Sequence, residues 1–435
     1  TKLYIDQTGD LNILNSPAPY FKDPQALRGT GIDQDWNDAY GNRQRTESGE
    51  VYQGTILEHL LIQHLTAFYE VGEHNIFRLR GADWNDALDM AAEHGESVAF
   101  TCAYAGNLRD LAGLLRRLTK EGDTVSLLEE IQELLAGGPA IYPDIPAKTT
   151  ILERYTRRCI HNVSGRTVRV SFQELAENLE IKADWLMEHL RRQEWISDGE
   201  NGWFNSYYDN HGRPVEGVQP DGSVRMMLTG QVFAIMSGTA EDEQVAAIAR
   251  SADRYLYKKE AGGYRLNTDF RELKFDMGRM FGFAYGEKEN GAVFSHMTVM
   301  YANALYRRGF VREGYKALQT LADAALDFET SRIYPGIPEY FNAEGRGMYH
   351  YLTGAASWYM LTVITQGFGV RGENGNLVIA PKLVREQFNQ EGTAALTLPF
   401  ADRELQITFV NLNRKDYGQY QLEKAYLTVP DGTQM

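Results

Sequence analysis

The stretch SVAFTCAYAGNLRDLAGLLRRLTK, residues 97–120, decides the fold class. It is apolar early and ends in Arg116, Arg117 and Lys120. Cations at that end suit the negative pole of a helix dipole, so the spacing predicts one long helix. Residues 53–71 predict a second, with Ile56, Leu57, Leu60, Leu61, Leu65 and Phe68 near one face. Working outward, helical patterns recur at residues 125–136, 149–161, 171–194, 224–237, 241–256, 292–309, 311–328 and 348–366. Polar loops rich in Gly, Asn and Tyr separate them. Helices joined by elaborate loops point to helical pairs around an axis, with function in the loops.

The pattern changes after residue 367. LVIAPKL and AALTLPF are short and strand-like, and RELQITFVNL alternates Leu405, Ile407 and Phe409 with Glu404, Gln406 and Thr408. Period two marks half-buried strands. A boundary is expected near 370, with a small β domain over residues 371–435. Residues 120–200 read as an insertion, with Pro139, Pro143 and Pro146 in a loop, the strand-like RTVRVSF and a charged helix around Trp185.

The chain has 435 residues, and 44 Lys plus Arg against 59 Asp plus Glu give a formal charge of −15. An acidic chain repels a phosphate backbone, so nucleic acid is excluded as an expected partner. No apolar run reaches the roughly 20 residues that span a bilayer. Two cysteines, Cys102 and Cys159, exclude a disulfide scaffold and a Cys-rich zinc site. A reducing cytoplasm is the expected setting. The 25 Tyr, 19 Phe and 6 Trp suit both core packing and the flat C–H faces of sugar rings. The chain opens on Thr1 in a loop-like stretch and stops just after a strand-like run. It is therefore expected to be a segment of a longer protein.

Several constellations could carry chemistry. LRGADWNDALDMA, residues 79–91, holds Asp83, Trp84, Asn85, Asp86 and Asp89. On a helix, Asp83, Asp86 and Asp89 would line one side. A carboxylic acid desolvated beside Trp favours its neutral form, as a general acid requires. Helix N-capping accounts for the same residues. A second DWND at Asp35–Asp38 lacks a helical continuation and reads as a solvated or substrate-rim loop. Lys288 and Glu289 precede a Gly turn, after which Ser295 and His296 open an apolar helix. A His at a helix start suits an anion, although a packed, hydrogen-bonded His is the commoner case. Farther on, Tyr334, Glu339, Tyr340 and Arg346 share a Gly-rich loop, and Thr353 precedes the small residues Gly354, Ala355, Ala356 and Ser357. Small residues permit close approach by a ligand or another helix. HExxH, P-loop, GxSxG and CxxC patterns are absent, and the nine His form no compact metal set.

Three blocks, ADWNDALDMA (82–91), KENGAVFSH (288–296) and GRGMYHYLTGAASWY (345–359), together resemble the cellobiose-phosphorylase family, glycoside hydrolase family 94. Their order and wide separation match that family. The resemblance implies that residues 1–370 are the later part of an (α/α)₆ barrel, its first helices missing, followed by the start of a C-terminal β-sandwich domain. RGADWNDALDMA, WFNSYYDNHGRPVEG, LTGQVFAIMSG, GGYRLNTDF and SRIYPGIPEYFN look most like the 1,2-β-oligoglucan phosphorylases and the related domain of cyclic β-1,2-glucan synthases.

The family reaction is inverting phosphorolysis to α-glucose 1-phosphate. Phosphate is already an anionic nucleophile, so one carboxylic acid suffices where an inverting hydrolase needs two carboxyl groups. The resemblance assigns that acid to Asp86, with Asp83 and Asp89 supporting it. It places Trp84, Lys288 and Glu289 at the sugar, and His296, Thr353 and Gly354 at phosphate. It implies no cofactor beyond inorganic phosphate as co-substrate, and no metal. The oligosaccharide and phosphate are the expected partners, and a homodimer fits the family. The family's upstream Arg-rich segment is not in this chain, so the remainder of the protein or a partner chain must supply it. A Gln that touches sugar in cellobiose phosphorylases has no match in YPGIPEYFN. Two alternatives remain: a phosphorylase for another linkage, such as cellobiose or laminaribiose, and a non-catalytic glucan-binding or chain-length-controlling domain.

Overall fold

The computed structural model describes residues 1–27, 31–118, 123–334, 336–350, 354–401 and 403–428. Among these, helices dominate. In chain order they are α1 (Lys2–Thr8), α2 (Ile56–Tyr69), α3 (Val98–Leu118), α4 (Gln132–Leu135), α5 (Ile145–Cys159) and α6 (Phe172–Gln193). They continue with α7 (Leu228–Ser237), α8 (Asp242–Ser251), α9 (Ser295–Arg307), α10 (Val311–Leu326), α11 (Phe328–Ser331) and α12 (Gly354–Thr362). Local chemistry sets their starts: the side chains of Thr55, Asp144 and Ser171 accept from Glu58, Ala147 and Glu174 backbone N–H groups. Among the described residues, no helix is long and apolar enough to cross a membrane.

Helix α3 is the central pillar, packed on α6, α7 and α2. Its first turns, with Val98, Ala99 and Cys102, join the core that runs through α7 and α9. Its later turns, from Ala105 to Leu115, join a second core with α2, α5 and α6. Gly106 allows this packing, since a Cβ there would lie 2.8 Å from the Ser237 Cβ on α7. Residues 125–190 therefore share their core with α2 and α3. Pairs α9–α10, α7–α9 and α9–α12 extend the helical layer.

Four expected helices begin or end differently. Residues 125–136 start as a strand, Thr124–Leu128, paired antiparallel with Thr167–Ser171. Val125, Leu127 and Leu128 are buried there, and Gly137 and Gly138 end the short α4 that follows. The expected 224–237 helix starts only at Leu228, because Val224 and Arg225 pair with Gly217 and Val218. The helices expected at 241–256 and 348–366 finish in π-turns, Ala252–Leu256 and Val363–Gly367.

The expected β region begins where the helices stop. Val370–Glu373 pairs with Asn376–Ile379 across an Asn374–Gly375 turn in which both residues have positive φ. Thr393–Phe400 pairs with Arg403–Val410. These are two separate two-stranded ladders. Helix α1 docks on the first, where the Gly375 N–H donates to the Asp6 carbonyl at 2.9 Å.

The second core contains two lysines that no carboxylate pairs with among the described residues. Lys148 and Lys182 are both 0% exposed. Their ammonium groups donate to Asn75 Oδ1 at 2.7 Å and Asn178 Oδ1 at 2.6 Å. The Lys148 Nζ lies 4.1 Å from the Phe68 ring centre and 4.6 Å from that of Trp185. Burial pushes each amine down to about 7 from an ordinary 10.5. Between those values the unfolded chain binds more protons, so these groups make stability rise with pH. Lys182→Met is expected to stabilise the protein by about 1–4 kcal/mol at pH 7, the range seen when buried charges give way to apolar packing. The gain should be larger at pH 6 and shrink by pH 9. Urea unfolding at the three pH values checks this, and a destabilised variant at pH 6 would refute it.

Candidate active site

Residues 81–90 form successive turns, not the helix that the spacing of Asp83, Asp86 and Asp89 suggests. Their own side chains compete for the backbone. Asp83 Oδ1 accepts from the Asn85 N–H at 2.9 Å, and Asn85 Oδ1 accepts from the Ala87 N–H at 3.1 Å. The three carboxylates consequently point in different directions. Asp83 turns inward, where Ser97 Oγ donates to it at 2.6 Å and the Tyr207 hydroxyl at 3.2 Å. Burial pushes its carboxyl up to about 6. Asp89 accepts from the Arg279 backbone N–H at 3.1 Å and from its Nη1 at 2.5 Å. Asp86 faces solvent with its side chain 77% exposed, 3.2 Å from Arg279 Nη2.

The desolvation expected of an acid beside Trp84 thus falls on Asp83 and not on Asp86. Trp84 packs edge-on against Phe294 at 5.5 Å and sits 5.8 Å from the His296 ring.

Asp86 lies on the rim of a cleft of about 350 Å³, within the range of small-molecule sites. Trp84, Lys288, Glu289 and His296 line it together with Asp86. Five expected site residues, drawn from two distant blocks, therefore converge. Lys288 takes a left-handed conformation, φ 46°, at the turn before the strand Val293–Phe294 that leads into α9. Its Nζ lies 4.5 Å from the Tyr349 ring centre, which brings in the third block. Gly354 opens α12 against His296, where a Cβ would lie 3.1 Å from the imidazole Cε1. Thr353 lies outside the described residues.

The electrostatics of this cleft are unusual. Among the described residues, Glu289 Oε2, Ser295 Oγ and His296 Nε2 are buried and lack hydrogen-bond partners. Burial raises the Glu289 carboxyl above its ordinary range and lowers the His296 imidazole below its own. An unsatisfied buried polar atom costs about 1–3 kcal/mol. Two of these residues, Glu289 and His296, line the cleft, where a polar ligand would satisfy them. The rings of Trp84, Phe283 and Phe294 add flat apolar surface.

Sequence reasoning missed Arg279 and Phe283. Arg279 sits in MGRMFG, with no motif around it, and reaches the cleft because its loop packs on the 87–89 turn. A Cβ at neighbouring Gly278 would lie 2.1 Å from the Ala87 carbonyl oxygen, so only glycine permits that approach. A glycine flanking a cation was the one available signal. Glu339, noted in its loop, also lines the cleft.

This arrangement, a carboxylate-rimmed aromatic cleft on a helical body, has a family counterpart. Residues 169–369 match the model of the glycosyl hydrolase 94 superfamily, catalytic domain. The match contains Lys288, Glu289, His296 and Gly354, while Trp84 and Asp86 precede it. The chain is 28% identical over 210 residues to cellobionic acid phosphorylase of Neurospora crassa, covering 45% of this chain and 25% of that protein. It is 25% identical over 374 residues to solabiose phosphorylase of Paenibacillus borealis, covering 83% and 37%. It is also 22% identical over 397 residues to cyclic beta-(1,2)-glucan synthase NdvB of Rhizobium meliloti, covering 88% and 12%. The chain thus spans between a quarter and somewhat over a third of the length of the two phosphorylases.

Proposed function

We propose that this chain carries most of the active site of an inverting β-glycoside phosphorylase acting on β-1,2-linked glucooligosaccharides. The observation that carries the reading is the cleft. It gathers Asp86, Trp84, Lys288, Glu289 and His296, and among the described residues Glu289 Oε2 and His296 Nε2 are buried there without hydrogen-bond partners. In the proposed step a phosphate oxygen forms a bond to the anomeric carbon as the glycosidic C–O bond breaks. Asp86 gives its proton to the leaving oxygen, and the products are α-glucose 1-phosphate and the shortened sugar. Trp84, Lys288 and Glu289 hold the glucosyl ring. His296, Thr353 and Gly354 receive phosphate where α9 and α12 begin, since helix N-termini favour anions. His296, kept neutral by burial, meets phosphate as a hydrogen-bonding group.

Arg279 as it stands neutralises Asp86 and Asp89, so it is not a free phosphate ligand. The missing cationic group is assigned to the remainder of the protein or a partner chain, which would also complete an (α/α)₆ barrel. The β-1,2 linkage is supported by the coverage of this chain by the cyclic beta-(1,2)-glucan synthase relative. That same likeness favours the second reading, a glucan-binding domain without turnover.

The test is release of α-glucose 1-phosphate from phosphate and matched β-1,2-, β-1,3- and β-1,4-glucooligosaccharides. Release from the β-1,2 series alone is expected. Release from another series alone would replace the linkage, and sugar binding without release after the upstream segment is restored would favour the binding domain.

A further inference from the structure

The second DWND lies away from the cleft in a separate setting, and its neighbourhood contains a donor set that phosphorolysis does not use. Asp33, Asp35 and His161 each offer a ligand atom, and these atoms lie within 4.8 Å of one another. Asp33 is the built part of this cluster. Its side chain is only 5% exposed, and its Oδ1 is engaged by the Asp35 N–H at 3.0 Å. Among the described residues its Oδ2 has no hydrogen-bond partner and neither does His161 Nδ1, although the two make an ion pair when the imidazole is protonated. Yet these two buried atoms are 3.1 Å apart.

At that distance a hydrogen bond would form if the ring nitrogen pointed at the oxygen. Their geometry misses that of a hydrogen bond. Donors bound to a common ion at roughly 2.0–2.2 Å also lie this close together. The backbone of His161 is fixed for the purpose. Its carbonyl accepts from Gln44 Nε2 at 3.0 Å and from the Lys22 ammonium. The ring stacks on Tyr40 at 5.3 Å, which sets its orientation. Lys22 itself lies over the Trp36 and Tyr40 rings, 5.7 and 5.2 Å from their centres, and its charge is felt by Asp33.

We infer that Asp33, Asp35 and His161 form a binding site for one divalent transition-metal ion, of the Zn²⁺ or Mn²⁺ class. One imidazole and two carboxylates suit these ions better than the all-oxygen cages of Ca²⁺. The ion would tie the turn at residues 33–36 to the end of α5, so its role is structural. This inference is independent of the phosphorolysis reading and reverses the expectation from sequence that no metal is bound.

The experiment uses the purified chain, stripped with chelator and titrated separately with Zn²⁺, Mn²⁺ and Ca²⁺ by calorimetry, with thermal unfolding in parallel. One equivalent of Zn²⁺ or Mn²⁺ is expected to bind and to raise the unfolding midpoint by several degrees. Asp33→Asn and His161→Gln should each weaken binding at least tenfold. Asp35→Asn, at an exposed position, should do the same while leaving the metal-free midpoint unchanged, which separates ligand loss from misfolding. No binding of any ion would overturn the inference. So would binding that all three variants retain, because the ion would then sit elsewhere, for instance at the exposed His94–Glu73 pair.

Discussion

Asp86→Asn is expected to lower phosphorolysis of a β-1,2-glucooligosaccharide by at least about 10²–10⁴-fold, the usual contribution of a general acid. The sugar leaving group is a poor one, which pushes the loss toward or beyond the upper figure. Folding should be unaffected. The Asp86 side chain is 77% exposed and forms a surface ion pair with Arg279 at 3.2 Å. Exposed pairs are worth about 0–1 kcal/mol. The turn that carries Asp86 is held by its neighbours: Asn85, Ala87 and Leu88 are all buried. A general acid must be protonated when the glycosidic bond breaks. In the ligand-free cleft the Asp86 carboxylate is paired with Arg279, a contact that the incoming leaving group would displace. Asp89 gives the guanidinium somewhere to stay, through contacts to both Nη1 and the backbone N–H. Initial rates with saturating phosphate, alongside circular dichroism of the variant, decide the matter. Wild-type turnover in Asp86→Asn would remove Asp86 from the chemistry. An equal loss in Asp38→Asn, with Asp86→Asn active, would move the site to the earlier motif.

The second large effect concerns stability. Asp209→Ala is expected to cost about 3–5 kcal/mol, the price of stranding one partner of a buried ion pair. Asp209 and Lys274 are 1% and 4% exposed, and Lys274 Nζ lies 2.9 Å from Asp209 Oδ2. Without Asp209, the nearest carboxylates to that ammonium are Glu272 and Asp276, each 3.9 Å away. Lys274→Met should cost less. Asp209 would keep the His211 and Arg213 N–H groups, at 2.9 and 3.0 Å, and the Arg213 guanidinium. Burial alone would raise the Asp209 carboxyl, but Lys274 and the backbone donors outweigh it and hold the carboxyl below its ordinary 3.8. Its contribution is therefore fully present above that value and is lost as pH falls through the lower folded-state value. Urea midpoints at pH 7 and pH 3 test both statements. A loss under 1 kcal/mol at pH 7 for Asp209→Ala would refute the first. Because Lys274 begins the loop that delivers Arg279, catalytic activity should fall along with stability.

Much of the helical body was legible. The runs at 53–71, 97–120, 171–194, 292–309 and 311–328 became α2, α3, α6, α9 and α10, because each has an apolar stripe long enough to choose its own period. Residues 125–136 were misread because the pairing of Val125 and Leu127 with residues 167–171 depends on a strand far along the chain. The DWND turn was misread for the opposite reason. Its Asp and Asn side chains close local turns, which pattern alone does not distinguish from helix caps.

For the site, the resemblance of three separated blocks to a known family singled out Asp86, Trp84, Lys288, Glu289 and His296, whereas residue types and spacing alone left helix capping and a packed histidine as open readings. The division of labour among the three Asp residues was not readable. Desolvation depends on what packs around a group, and Ser97 and Tyr207 reach Asp83 from distant parts of the chain. Arg279 enters the cleft only because Gly278 lets one loop lie on another. The identity of the helices and the inventory of acids and bases are properties of local sequence. Which acid is buried, which is exposed and which cation faces it are set by long-range packing, because charge energetics follow the surroundings and not the order of residues.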